Sequence, residues 1–211
     1  MPRVVLLGDS ILDNAPYTVP HPDTTAHLSR KLGSGWSVER LAEDGAIMSD
    51  IGGQLSRLEG RAEVAVLSIG GNDLIAHIGV LDRPASRSSE VLRDLASIAE
   101  AFTSSYQAVA AAVADRAERV ILCTVYEVQL EPVPYAKLAR VPLAVLNDRI
   151  VRTGTRLRLD VLELRSVCTE PADFVLQIEP SAKGAEKIAS AIAEAVVSFG
   201  PRAGTRVFGS A

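Results

Sequence analysis

Five short apolar runs, at residues 4–7, 38–41, 64–69, 120–125 and 161–164, recur along this chain with stretches of helical period between them. Such near-continuous runs are the pattern of strands buried on both faces of a parallel sheet. Alternation with helices then predicts a three-layer α/β/α sandwich around a five-stranded, doubly wound parallel sheet of flavodoxin-like type. Helices are expected over Thr24–Leu32, stopped by Gly33 and Gly35, and over residues 49–58, ending at Gly60. A long one from about 89 to 118 carries Leu92, Leu95, Ile98, Phe102, Tyr106, Val109 and Val113 on one face. Pro142 suits the first turn of another, and Ser181 the N-cap of the last. The whole reads as one domain over 1–199, with a Pro-, Gly- and Ser-containing tail over 200–211 that either frays or packs on a neighbouring subunit through Val207-Phe208.

Right-handed crossovers place every strand's C-terminal end on one edge of the sheet, where open α/β folds hold their ligands. That edge collects Ser10, the loop around Asp44-Gly45, Gly70-Gly71-Asn72-Asp73, and Tyr126-Glu127. Ser10 closes Gly8-Asp9-Ser10 directly after the first apolar run, so a turn there exposes a hydroxyl and aims backbone N–H groups at what it attacks. Taken alone, Gly-Asp-Ser is an ordinary turn and Gly-Gly-Asn-Asp an ordinary helix cap. Their common edge gives them chemical meaning.

Several function classes fall away. The net charge of −4 comes from scattered residues, 22 basic and 26 acidic, and no nucleic-acid recognition motif is present. No apolar stretch reaches membrane-spanning length, and Met1-Pro2-Arg3 leads into a run too short for a signal peptide's core. Cys123 and Cys168 match no metal spacing, and Cys123 falls within a strand as a buried free thiol. Cytoplasmic residence is the expectation. The dinucleotide and P-loop glycine patterns are absent, which sets aside a nucleotide-binding reading. Nothing here fixes the oligomeric state.

In order and strand context, Gly8-Asp9-Ser10, Gly45, Gly70-x-Asn72-Asp73 and Glu179-Pro180-Ser181-x-x-Gly184 resemble the four sequence blocks of the SGNH (GDSL) hydrolase family. The resemblance covers nearly the whole chain. It implies that Ser10 is the nucleophile of a serine esterase acting on small, short-acyl esters through an acyl-enzyme. The oxyanion hole would be the N–H of Ser10, the N–H of Gly45 and the side-chain amide of Asn72. It implies no metal or organic cofactor, a small-molecule ester as partner, and neither nucleic acid nor membrane. Asp9 and Asp73 read as structural, bonding the turns that hold Ser10 and Asn72. Tyr17, Ile75 and Tyr126 are candidates for lining a small substrate pocket.

One block departs from the pattern. The family places its histidine base where this chain has Glu179, and its orienting aspartate where this chain has Leu176. Ser10–Asn14 and Ile178–Ser181 resemble a subset of the family in which the glutamate is a shared trait. Glutamate reaches as far from Cα as histidine's distal nitrogen, so Glu179 is the candidate base. An ordinary glutamate titrates near 4.3, so the role calls for burial that lifts it. Leu176 and Ile178 are expected to supply apolar walls, and Asp173 to raise the pKa further or share the proton. His21, His27 and His77 read as bystanders. Two alternatives stand beside the esterase: Glu179 as a mere cap of the last helix, and a non-hydrolytic protein that binds an acylated small molecule or sugar.

Overall fold

The computed structural model describes residues 1–131, 133–198 and 204–209. Its strands are β1 (Arg3–Gly8), β2 (Ser37–Arg40), β3 (Ala62–Ser68), β4 (Ala117–Cys123), β5 (Asp160–Leu162), β6 (Phe174–Val175), β7 (Glu179–Pro180) and β8 (Val207–Phe208). The α-helices are α1 (Ala15–Thr18), α2 (Thr24–Leu32), α3 (Ile51–Arg57), α4 (Gly71–Ile75), α5 (Ser88–Ala114), α6 (Val133–Leu157), α7 (Leu164–Val167) and α8 (Ala182–Val197). The main sheet is parallel throughout, in the order β2-β1-β3-β4-β5-β8. β6 and β7 form a separate antiparallel pair.

Side chains alternate along each strand, so each strand feeds two cores. Val5, Leu7, Ala65, Leu67 and Leu122 pack with Leu55, Phe102, Tyr106 and Ile150 from α3, α5 and α6. Val4, Leu6, Val64, Val66 and Ile121 pack on the other face with Leu28, Ile188 and Ile192 from α2 and α8. Burial on both faces explains why the strands read as apolar runs in the sequence. The order changes direction at β1, with β2 on one side and β3 on the other. Ser10 follows β1, at this switch point.

Three expectations need correcting. The sheet has six strands, since Val207–Phe208 pairs parallel with β5 in this same chain. A two-residue strand has too little apolar run to announce itself. It is held by side chains: Arg206 pairs with Asp160, and the guanidinium groups of Arg119 and Arg206 lie over the Phe208 ring at 5.9 and 5.3 Å. Residues 200–203 and 210–211 of the expected tail lie outside the described residues. Secondly, Pro142 stands inside α6, not in its first turn. Thirdly, the stretch expected as one helix over 49–58 is a 3-10 turn at Met48–Asp50 followed by α3. The last helix begins as read, with the Ser181 hydroxyl accepting from the Gly184 N–H.

Candidate active site

The turn that carries Ser10 is built from the strand outward. Gly8 has φ of +133°, and a Cβ there would lie 1.7 Å from the Ser68 carbonyl oxygen, so only glycine fits. Asp9 then donates its N–H to Ser68 O at 3.1 Å, while its own carbonyl accepts from Leu12 and Asp13. The Asp9 carboxylate accepts from the Ile11 N–H at 3.1 Å. Ser10 thus stands at the apex of a closed turn, largely buried at 8% exposure. Gln54 on α3 brackets Gly8 from the side, accepting its N–H and donating to its carbonyl, both at 2.8 Å.

Asp13 and Asn14 tie this turn to its neighbours. The buried Asn14 amide donates to Thr24 Oγ1 at 2.7 Å and accepts the Thr24 N–H at 3.0 Å, fixing the start of α2. Asp13 pairs with Arg40 and accepts the Asp44 N–H at 3.0 Å, drawing the Asp44-Gly45 loop onto the nucleophile turn. Gly45 takes a left-handed φ of +79° in that loop. Asn72, on α4, donates its side-chain N–H to Ala46 O at 2.9 Å. Asp73 accepts the Met48 N–H at 3.2 Å, which secures the second loop, and its carboxylate also takes a backbone hydrogen bond at Asp73 itself, in the turn that holds Asn72. Asp9 does bond the turn that holds Ser10. Among the described residues, the backbone N–H groups of Ser10 and Gly45 donate to no protein acceptor.

Glu179 arrives on the β6–β7 hairpin. Leu176 and Gln177 make its tight reversal with left-handed φ of +49° and +71°. The Tyr126 hydroxyl pins the hairpin through Ile178 O at 2.7 Å, and Gln129 N–H through Gln177 O at 2.9 Å. Glu179 is 8% exposed, and its Oε2 is buried with no hydrogen-bond partner. Burial raises the Glu179 pKa above the ordinary carboxyl value; the Ser10 hydroxyl beside it pulls the other way, and Asp44 adds to the rise. Asp9 is pushed up to about 7, chiefly by burial, against the pull of the Ile11 N–H and with help from Glu179 and Asp73.

Two expected neighbours of Glu179 are elsewhere. Leu176 is 74% exposed at the hairpin tip and forms no wall. Asp173 directs its buried carboxylate to the Thr169 and Glu170 N–H groups, both at 3.0 Å, and to Lys187 Nζ at 2.8 Å. It anchors the hairpin's base. Among the described residues, no hydrogen bond joins a histidine side chain to Ser10 or Glu179; His77 stands near Asp73 and lines a cavity beyond α4. Ile75 and Tyr126 line that same cavity, whereas Tyr17 donates its hydroxyl to Asp44 Oδ2 at 2.7 Å. Both cysteines are buried free thiols, and burial raises Cys168 to about 12, so neither is poised as a nucleophile.

Sequence reasoning missed Gln54, Asp13 and Asp44. Gln54 carried a readable signal: it shares the apolar face of Ile51, Leu55 and Leu58, where a polar residue needs a partner. The others bond across loops whose approach no spacing encodes.

Comparison with known proteins gives the family and the fold. The model of the GDSL-like Lipase/Acylhydrolase family matches residues 6–187, so the chain belongs to that family. Its fold is that of solved esterases and lipases. The lipase Lip_vut3 from a goat rumen metagenome superposes with a TM-score of 0.70 at 16% identity, over 95% of this chain and 99% of that one. The aryl esterase of M. smegmatis gives 0.66 at 15% identity over 94% and 99%. Axe2-W215I, an acetyl xylan esterase from Geobacillus stearothermophilus, gives 0.62 at 15% over 96% and 97%. No curated protein sequence matches the chain.

Proposed function

We propose that the protein is a serine hydrolase of small carboxylic esters, with Ser10 as nucleophile and Glu179 as general base. The observation that carries this reading is the Glu179 carboxyl itself, buried beside the Ser10 hydroxyl, with one oxygen unpartnered and its pKa raised. Ser10 Oγ attacks the ester carbonyl carbon as its proton passes to the Glu179 carboxylate. The carbonyl oxygen becomes an oxyanion, received by the N–H groups of Ser10 and Gly45. Asn72 contributes its second amide N–H, the first being held by Ala46 O. Collapse of the intermediate breaks the ester C–O bond, and the leaving alkoxide takes the proton from Glu179. Water then repeats the sequence on the acyl-enzyme. The two unpaired buried thiols support residence in a reducing cytoplasm.

The test is covalent labelling. A fluorophosphonate should label the wild type stoichiometrically at Ser10 and fail on Ser10→Ala. An unlabelled, folded wild type would overturn the hydrolase reading in favour of a protein that binds acylated molecules without turnover.

A further inference from the structure

Beyond Asn72 the chain turns away from the sheet. α4, the 3-10 turn Ile78–Asp82 and the front of α5 form one wall of a cavity of about 200 Å³. The start of α6 and the segment after β4 form the other. Leu74, Ile75, Leu81, Ile98 and Leu143 make its surface almost wholly apolar. Of its polar side chains, Arg140 pairs with Glu127 at 3.0 Å, the Tyr126 hydroxyl bonds Ile178 O, and His77 stands near Asp73. Its lining includes Gly71 and Ile178, the chain neighbours of Asn72 and Glu179. It therefore begins where the ester carbonyl would sit.

We infer that this cavity receives the acyl half of the substrate and selects an uncharged, apolar acyl group of about six to eight carbons. The inference rests on the hydrolase reading and deepens it. An ester bound at Ser10 has two halves to place. The leaving oxygen must face Glu179, which hands it a proton, and Glu179 lies within electrostatic reach of Asp44 and Tyr17. That polar side suits a small alcohol. The acyl carbon chain takes the remaining direction, over Gly71 and into the cavity. Size follows from the volume: an apolar cavity of about 150 Å³ holds benzene, so about 200 Å³ holds a six- to eight-carbon chain or one ring. A charged acyl group has no partner there and is refused by desolvation.

Two isomeric esters decide the point. Ethyl hexanoate carries its long chain on the acyl side and hexyl acetate carries it on the alcohol side, and a pH-stat follows both without a chromogenic leaving group. For the wild type, kcat/KM for ethyl hexanoate should exceed that for hexyl acetate and for ethyl acetate by at least about tenfold, within the range that added methylenes bring in an apolar pocket. Ile98→Trp, which fills the cavity away from the reacting groups, should erase that preference. Leu81→Ala should move the optimum to longer acyl chains, and it serves if the tryptophan variant fails to fold. Equal rates on the isomers, a preference for hexyl acetate, or a chain-length profile untouched in both variants would overturn the cavity's role. Turnover of ethyl acetate in those cases keeps the hydrolase reading alive. A wild type that hydrolyses no ester and takes no fluorophosphonate removes both.

Discussion

Asp160 and Glu179 are both buried carboxyl groups, and they stand at opposite edges of the sheet in opposite company. Asp160 opens β5 at 1% exposure; Arg119 Nε meets it at 2.7 Å and an Arg206 guanidinium nitrogen at 3.0 Å. Arg119 also donates to the carbonyls of Ala195 and Val196 at the end of α8, and Arg206 to Ser198 O. Burial alone would raise the Asp160 pKa, but these guanidinium groups overcome it and hold the carboxyl below its ordinary range. Glu179 is buried with a serine hydroxyl and other acids nearby, and its pKa is raised. One carboxylate is matched by cations and joins strand, helix and chain terminus. The other is left unmatched, which makes it a worse structural element and a better base.

The largest effect that would break this comparison is catalytic. Glu179→Gln keeps shape and reach but cannot accept a proton, so kcat/KM on ethyl acetate should fall by about 100- to 10,000-fold. The circular dichroism spectrum should stay unchanged. A variant as active as the wild type would make Glu179 a second Asp160, a group kept for structure.

The next effect is on stability. Asp160→Asn leaves Arg119 buried without its carboxylate, and removing one member of a buried pair costs about 3–5 kcal/mol. Urea unfolding should register that loss, while the folded fraction keeps its kcat. If kcat collapses and stability holds, the clamp is coupled to the site and the two regions are not separate devices.

Much of this division was legible in the sequence, and the reason is burial. Strands with two buried faces appear as apolar runs, and a helix such as Thr24–Leu32 appears through its period and the glycine that stops it. Ser10 and Asn72 could be placed at the sheet edge because each follows an apolar run in a glycine-containing turn, and Glu179 was singled out through the resemblance of its Pro-Ser-x-x-Gly block to a family motif. The Asp160 clamp was not. Its partners lie at Arg119 and Arg206, far apart in sequence, and meet only because β8 docks beside β5. The misplacement of Asp173 has the same origin: Lys187, a turn and a half into α8, takes the carboxylate that sequence proximity assigned to Glu179. The cavity beyond α4 was legible only at Ile75 and Tyr126, since residues that line a void and residues that fill a core share one apolar pattern. Leu176 erred differently. Its left-handed backbone at the hairpin tip points an apolar side chain into solvent, which no hydrophobicity argument anticipates.

The smallest expected effect is also the sharpest, because it has a sign. A carboxyl whose folded pKa is raised binds its proton more tightly in the folded state than in the unfolded chain. Glu179 therefore adds to stability at pH below its unfolded value, near 4.3, and that contribution is lost as pH rises through its folded pKa. Relative to the wild type, Glu179→Gln should be more stable at pH 7 by about 1 kcal/mol, in the range seen when an active-site residue is replaced at the cost of activity. The gap should close towards pH 4. Asp160 has the reverse linkage: its lowered pKa gives a contribution that is present above about 4 and lost as pH falls through the folded value. The deficit of Asp160→Asn should therefore be full from pH 7 to about pH 4 and shrink only below it. Asp9, also raised, cancels from the Asp160→Asn difference; Glu179 helps to raise it, so loss of that charge in Glu179→Gln acts with the same sign at pH 7. Urea midpoints of the three proteins at pH 4, 5.5 and 7 give the two differences directly. Opposite signs at pH 7 would establish that an unmatched carboxylate is kept at the Ser10 turn against the interest of stability. A Glu179→Gln variant less stable than the wild type at pH 7 would mean that the carboxylate has a structural partner, and the case for its role as base would weaken with it.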